Sequence, residues 1–214
     1  MLPFTAEVFF ANFESYNRAI WPAQLVAYGL ALLIILLAAR PLRGSGRLIG
    51  ALLAAAWAWN GVVYHLLHSA TINFLAPVFG AFFIIQALLL LWTATIRGKV
   101  SFRWRADPCG LAGLGLIAFA LLLYPLLGWL AGHGWPQAAL FGVAPCPTTV
   151  FTLGLLLAIE GRTPLHLVAI PVIWSLIGGS AAWLLGVPED LVLPIAGFGA
   201  LALILWKNRR TARS

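Results

Sequence analysis

The chain of 214 residues is 62% hydrophobic and only 9% charged, against roughly 45–50% and about 25% in ordinary soluble domains. One buried core of this size cannot hide such a surplus, which excludes a soluble globular protein and leaves a lipid bilayer to cover the rest. The net charge of +7 would point to nucleic acid if the basic residues lined a soluble face with aromatics between them. They fall instead in short clusters between apolar runs, the pattern of topology signals and of contact with anionic headgroups, so nucleic acid is not an expected partner.

Residues 1–20 lack a basic leader, contain Glu7 and Glu14, and precede an apolar run rather than forming one. They read as a retained segment and not a targeting peptide. Phe9, Phe13, Tyr16 and Ile20 recur at helical spacing, so the segment predicts an amphipathic helix on the outer interface, with a frayed tail as the alternative. Seven apolar stretches follow, at about 21–39, 48–67, 74–95, 110–131, 148–160, 165–185 and 191–206, together a seven-span bundle over 21–206. The fifth holds only 13 residues and crosses only if it extends into 142–147 or lies in a protein-lined region. Residues 207–214 form a basic tail.

Orientation follows from the alternate loops. Arg40, Arg43, Arg47, Arg97, Lys99, Arg103, Arg105, Arg162, Lys207, Arg209, Arg210 and Arg213 fall on one side, and of the 13 Lys and Arg only Arg18 falls on the other. The expected fold is therefore all-α and polytopic, with the N-terminus out and the C-terminus in. Dropping the fifth span would set the Arg162 loop and the tail on conflicting sides. Cys109 and Cys146 then lie on opposite sides and cannot form a disulfide. Shifting the chain by 117 residues pairs Trp57 with Trp174, Gly61 with Gly178, Leu67 with Leu184, Pro77 with Pro194 and Gly80 with Gly197. That is the pattern of a 3+1+3 parallel repeat.

Polar groups within a bilayer are costly and mark sites or helix contacts. Most lie in the expected outer half: Asn60, Tyr64, His65 and His68 on the second span, Tyr124 on the fourth, Thr148, Thr149 and Thr152 on the fifth, Ser175 and Ser180 on the sixth. A cavity built from Asn60, Tyr64, His65, Tyr124, Thr149 and Ser175 would open outward. Asn60, Tyr64 and His68 recur every four residues, placing an amide, a phenol and imidazole on one helical stripe with His65 beside it. His65, His68, His133 and Cys146 form a His and Cys set suited to zinc or copper, or to haem. The plainer reading makes the histidines interface residues and Asn60 and Tyr64 bonds between helices.

Cys146 lies between Pro145 and Pro147 directly before Thr148 and Thr149. Such a helix start would favour a reactive thiol, with a hinge as the alternative. The paired glycines are assigned to helix packing, and Pro77, Pro125, Pro171 and Pro194 to kinks. Lys99 and Lys207 lie in loop and tail positions, which excludes a retinal Schiff base in mid-membrane. Phosphate-loop, zinc-protease and nucleophile-elbow motifs are missing from the sequence.

The phrases Trp57-Ala-Trp-Asn-Gly-Val-Val-Tyr-His, Gly132-His-Gly-Trp-Pro and Cys146-Pro-Thr-Thr-Val-Phe-Thr-Leu-Gly resemble a domain-of-unknown-function family of bacterial multi-pass membrane proteins. The resemblance extends over nearly the whole chain, including Leu2-Pro-Phe-Thr and Ile177 to Ala182. It implies a location in the inner membrane and no activity. Three readings remain: a small-solute or metal-ion permease or binding protein, a metal- or haem-bearing redox protein, and an accessory subunit of a larger membrane complex or a homo-oligomer.

Overall fold

The structure is a computed structural model that describes residues 3–212, so Arg213 of the basic tail lies outside the described residues. Eight helices follow one another: α1 (Ala6–Ala19), α2 (Ala23–Ala39), α3 (Ser45–Thr71), α4 (Ala76–Ile96), α5 (Pro108–Leu130), α6 (Pro145–Leu157), α7 (His166–Leu185) and α8 (Pro188–Thr211). Among the described residues there is no strand, only an isolated bridge between Phe102 and Ile159. Five helices, α3, α4, α5, α7 and α8, are long and apolar enough to cross a membrane. Helices α1 and α2 add a sixth if they are counted as one span, bent by 83°.

Two of the seven expected spans are therefore shorter than a full crossing. The stretch at 21–39 forms α2, whose 17 residues reach crossing length only together with α1. The stretch at 148–160 forms α6, which starts three residues earlier, with Ala144 extended and Pro145 in the first turn, where its missing N–H costs nothing. Thirteen residues rise about 20 Å, against about 30 Å of hydrocarbon.

Helix α6 is the core of the bundle. Every residue in it except Cys146 is buried, and it packs against α5, α7 and α8, and more lightly against α3. Trp57 of α3 donates from its indole N–H to Thr152 Oγ1 at 2.9 Å. Thr148, Thr149 and Thr152 donate to the carbonyls of Ala144, Pro145 and Thr148, a local bond that spares a buried hydroxyl. At the far end Lys207 Nζ donates to Ile159 O at 2.8 Å, and Arg105 donates to Ile159 O at 3.0 Å. Thr163 and Asn208 exchange two bonds beside it.

The basic segments gather at one end of the bundle. Thr95 donates to Arg47 O at 3.0 Å, and Arg103 stands 3.6 Å from Glu160. Asp107 caps α5 at the same end, where its Oδ1 accepts Gly110 N–H and its Oδ2 accepts Arg105 Nε, each at 2.7 Å. The Gly110 N–H first, and Arg105 after it, hold the Asp107 carboxyl below the usual carboxylate range.

At the opposite end α1 docks on the bundle. Phe13 and Tyr16 are buried against Tyr64, Val143 and Ala144, with Phe9 and Ile20 packed around them. Tyr16 Oη donates to Val143 O at 2.6 Å, and Asn17 Nδ2 donates to Pro136 O and Ala138 O. The amphipathic helix expected on the interface thus turns its aromatic face to protein, because the 136–143 segment offers carbonyls that would otherwise lack partners.

The aligned glycines of the expected repeat sit in different contacts. Gly61 and Gly80 each face the other's carbonyl, whereas Gly178 faces Leu193 and Gly197 faces Ser175.

Helices α5 and α6 cross at Gly113 and Gly154, where a Cβ on either residue would lie 2.6 Å from the other's carbonyl oxygen. Gly115 has open space around it. Gly154→Ala is expected to cost about 1–3 kcal/mol and Gly115→Ala almost nothing, measured by thermal unfolding in mild detergent; equal effects would remove the close crossing as the cause.

Asp107→Asn keeps a capping side chain without the charge. Because the folded carboxyl titrates low, its contribution is present above about pH 4 and is lost as the pH falls through the folded value. The stability gap between wild type and Asp107→Asn should therefore hold from neutral pH down to about pH 4 and narrow on further acidification, and a gap that stays constant there would contradict the assignment.

Candidate functional site

At the α1 end the helices enclose a cavity of about 540 Å³, within the usual range for small-molecule sites. Its walls are mostly apolar. Phe10 and Phe13 of α1 roof it, Phe79 of α4 lines one side, and polar groups come from α3, α5, α6, α7 and the start of α8.

Tyr64 and His65 reach the cavity because α3 changes geometry. Over Asn60–His68 its hydrogen bonds lengthen to the i→i+5 pattern, a wide turn often found at functional sites. The wide turn breaks the stripe expected from four-residue spacing. Asn60 points away, with its amide donating to Ala56 O at 2.8 Å and Gly142 O at 3.0 Å. His68 turns back, with Nδ1 2.8 Å from Val63 O and its ring against Tyr16. His65 is 2% exposed and sits among Tyr64, Phe83 and Trp174 with ring centroids 4.9–5.2 Å away. Neither of its ring nitrogens has a partner.

A second wide turn at Phe119–Leu123 precedes Tyr124. The Tyr124 hydroxyl donates to Asp190 Oδ1. Asp190 and Glu189 come from the single turn that opens α8 and are 6% and 4% exposed. Glu189 Oε1 faces His133 Nδ1 at 3.9 Å, and Glu189 Oε2 has no partner. Cys146, at the start of α6, lies beside Asp190, Tyr124 and Trp174. Its Sγ and the Trp174 Nε1 are each 3.6 Å from the point where a Cβ on Gly178 would sit. The Trp174 indole is 8% exposed, and the Cys146 sulfur is its hydrogen-bonding neighbour.

Of the polar residues singled out from the sequence, Tyr64, His65, Tyr124 and Cys146 meet at this cavity, and Ser180 lines it with its hydroxyl spent on Leu176 O. Thr149 and Ser175 do not line it and spend their hydroxyls on Pro145 O and Pro171 O. His133 stacks on Phe10 with centroids 3.7 Å apart, outside the lining. Among the described residues no three His, Cys, Asp or Glu side chains are placed to hold a metal ion, so His65, His68, His133 and Cys146 do not converge as one ligand set. The wide turn sends the two α3 imidazoles in different directions, and His133 is held at the rim by its ring stack. The thiol start expected to be reactive faces a carboxyl group rather than a cation. Cys109 and Cys146 are both free.

Sequence reasoning missed Trp174, Glu189 and Asp190 as site residues. The available signal was position: two of only 6 acids in the chain stand directly before an apolar run, where the opening turn of a helix draws carboxylates inward.

The fold and the site define a polytopic helical membrane protein with a solute-sized cavity at one end of its bundle. Residues 6–214 match the family of unknown function DUF6064, and the chain belongs to it. Comparison with curated proteins and with solved structures yields no match.

Cys146 lines the cavity, whereas Cys109 is 1% exposed and bonded to Leu203 O. A small neutral alkylating reagent is expected to modify Cys146 well ahead of Cys109 in the folded protein. Mass spectrometry of the labelled peptides checks this, and faster labelling of Cys109 would overturn the placement.

Proposed function

We propose that the protein binds a small solute in this cavity, as a permease or binding protein of the cell membrane. One observation carries the reading: three buried polar atoms around one mostly apolar space, His65 Nδ1 and Nε2 and Glu189 Oε2, lack partners. Trp57 and Tyr16 are paired, and Asn60 and Gln86 have their amide nitrogens engaged; leaving a buried group unpaired costs about 1–3 kcal/mol. Such a cost is retained where a ligand supplies the missing partner.

The gathering of basic segments at the far end supports seven passes with the N-terminus and cavity outside, and the basic loops and tail against anionic headgroups. The bacterial inner membrane is the compartment this orientation fits. A metal or haem centre has less support, since its ligands do not converge. An accessory role in a larger complex leaves the unpaired atoms unexplained.

His65→Phe keeps an aromatic ring and removes both unpaired nitrogens. The variant is expected to be at least as stable as wild type without ligand, while losing the stabilisation that a bound solute gives, about 2.7 kcal/mol at a hundred times Kd. Thermal-shift screening of both proteins against small solutes reads this. A destabilised variant, together with a wild type that no solute stabilises, would favour a purely structural His65.

A further inference from the structure

The cavity carries a charge imbalance that narrows the solute. Asp190 and Glu189 occupy adjacent positions on one turn at its wall, both more than nine-tenths buried. No Lys or Arg lines it. Arg18, on α1, is engaged with Glu14 at 3.1 Å, and the remaining described basic residues belong to the opposite end. Tyr124 and Cys146 give Asp190 neutral donors, and the His133 ring stands 3.9 Å from one oxygen of Glu189. Two carboxyl groups in a low-dielectric wall without a fixed cation favour whatever brings positive charge.

The rest of the lining agrees with that charge. Phe10, Phe13, Tyr64, Phe79 and Trp174 line the space, and aromatic rings attract cations, most strongly where water is excluded. Independently of the acids, the unpaired imidazole of His65, 2% exposed, lines the same space and is open to a bound molecule. The apolar walls accept a hydrocarbon body.

We infer that the solute is an amphipathic amine: an apolar body with a protonated nitrogen that sits against Glu189 and Asp190. This inference rests on the solute-binding reading and specifies its ligand class. The cation replaces the missing counter-charge, the rings enclose it, and the hydrocarbon body fills the remaining volume. A neutral or anionic analogue of the same shape keeps the apolar contacts and loses the charge term.

The test uses the full chain in phosphatidylcholine nanodiscs with three probes that share one body: 4-phenylbutylamine, 4-phenylbutan-1-ol and 4-phenylbutanoate. Binding is read by thermal shift against probe concentration, with empty discs as the partition control. The amine is expected to bind at least tenfold more tightly than the alcohol, and the acid most weakly. Glu189→Gln and Asp190→Asn should each reduce the ratio of amine to alcohol affinity by at least threefold, and a ratio unchanged in both variants would overturn the assignment.

An alcohol or acid that binds as well as the amine overturns the amine inference and leaves the solute-binding reading standing. If none of the three stabilises the protein, both fall. Should Asp190→Asn fail to fold for want of its Tyr124 bond, the comparison of probes on wild type and the Glu189→Gln variant still decide the matter.

Discussion

A helix too short to reach both faces of the bilayer must have its ends satisfied inside the protein, and the bundle is arranged around that requirement. In hydrocarbon each unpaired backbone group costs several kcal/mol. The thirteen residues of α6 therefore need donors at their C-terminal end, and Lys207 and Arg105 reach in to supply them at Leu157 O and Ile159 O. Two long basic side chains that would otherwise lie in headgroup water become part of the core, and their charges complement the negative end of the helix. Helix α5 approaches closely through Gly113 and Gly154, so α6 is shut off from lipid along almost its whole length. Its other end is then free to contribute Ala144, Pro145 and Cys146 to a cavity.

That arrangement separates two kinds of buried polar group. Trp57, Thr148, Thr152, Gln86 and Asn60 each make bonds that tie helices together or close a local turn. Asn60 and Gln86 leave a carbonyl oxygen unbonded, but their amide nitrogens are engaged. His65 differs in kind, for nothing engages either nitrogen. Away from the cavity the unpaired side-chain atoms of Asn12, Gln24, Asn60 and Gln86 are single atoms of amides, whereas at the cavity a whole imidazole goes unpaired, and that contrast gives the site its standing.

Much of the architecture was legible because lipid imposes simple rules. Apolar run lengths located the five full-length helices, and the spacing of basic clusters anticipated which segments share an end. Proline placement marked the start of α6 to within a few residues. Tyr64, His65, Tyr124 and Cys146 were found because polar residues are rare in such a chain. Asn60 and His68 were misplaced because four-residue spacing assumes a regular helix, and no residue in Asn60–His68 announces the wider turn. Thr149 and Ser175 were misread because a hydroxyl four residues after a carbonyl is usually consumed by it, as happens here. Trp174, Glu189 and Asp190 join His65 only through tertiary packing.

The wide turn in α3 makes chain length a determinant of chemistry. Between Asn60 and His68 the backbone accommodates more residues per turn than a regular helix, so losing one residue there could restore ordinary bonding without opening a gap in the helix. Every side chain beyond the lost position would swing around the axis, and an imidazole now facing the cavity would face elsewhere, while the helix kept its place between its neighbours. Among members of the family, alignment by residue type alone would then pair positions that do not share a direction. A chain one residue shorter in this segment would keep the same bundle around a different interior.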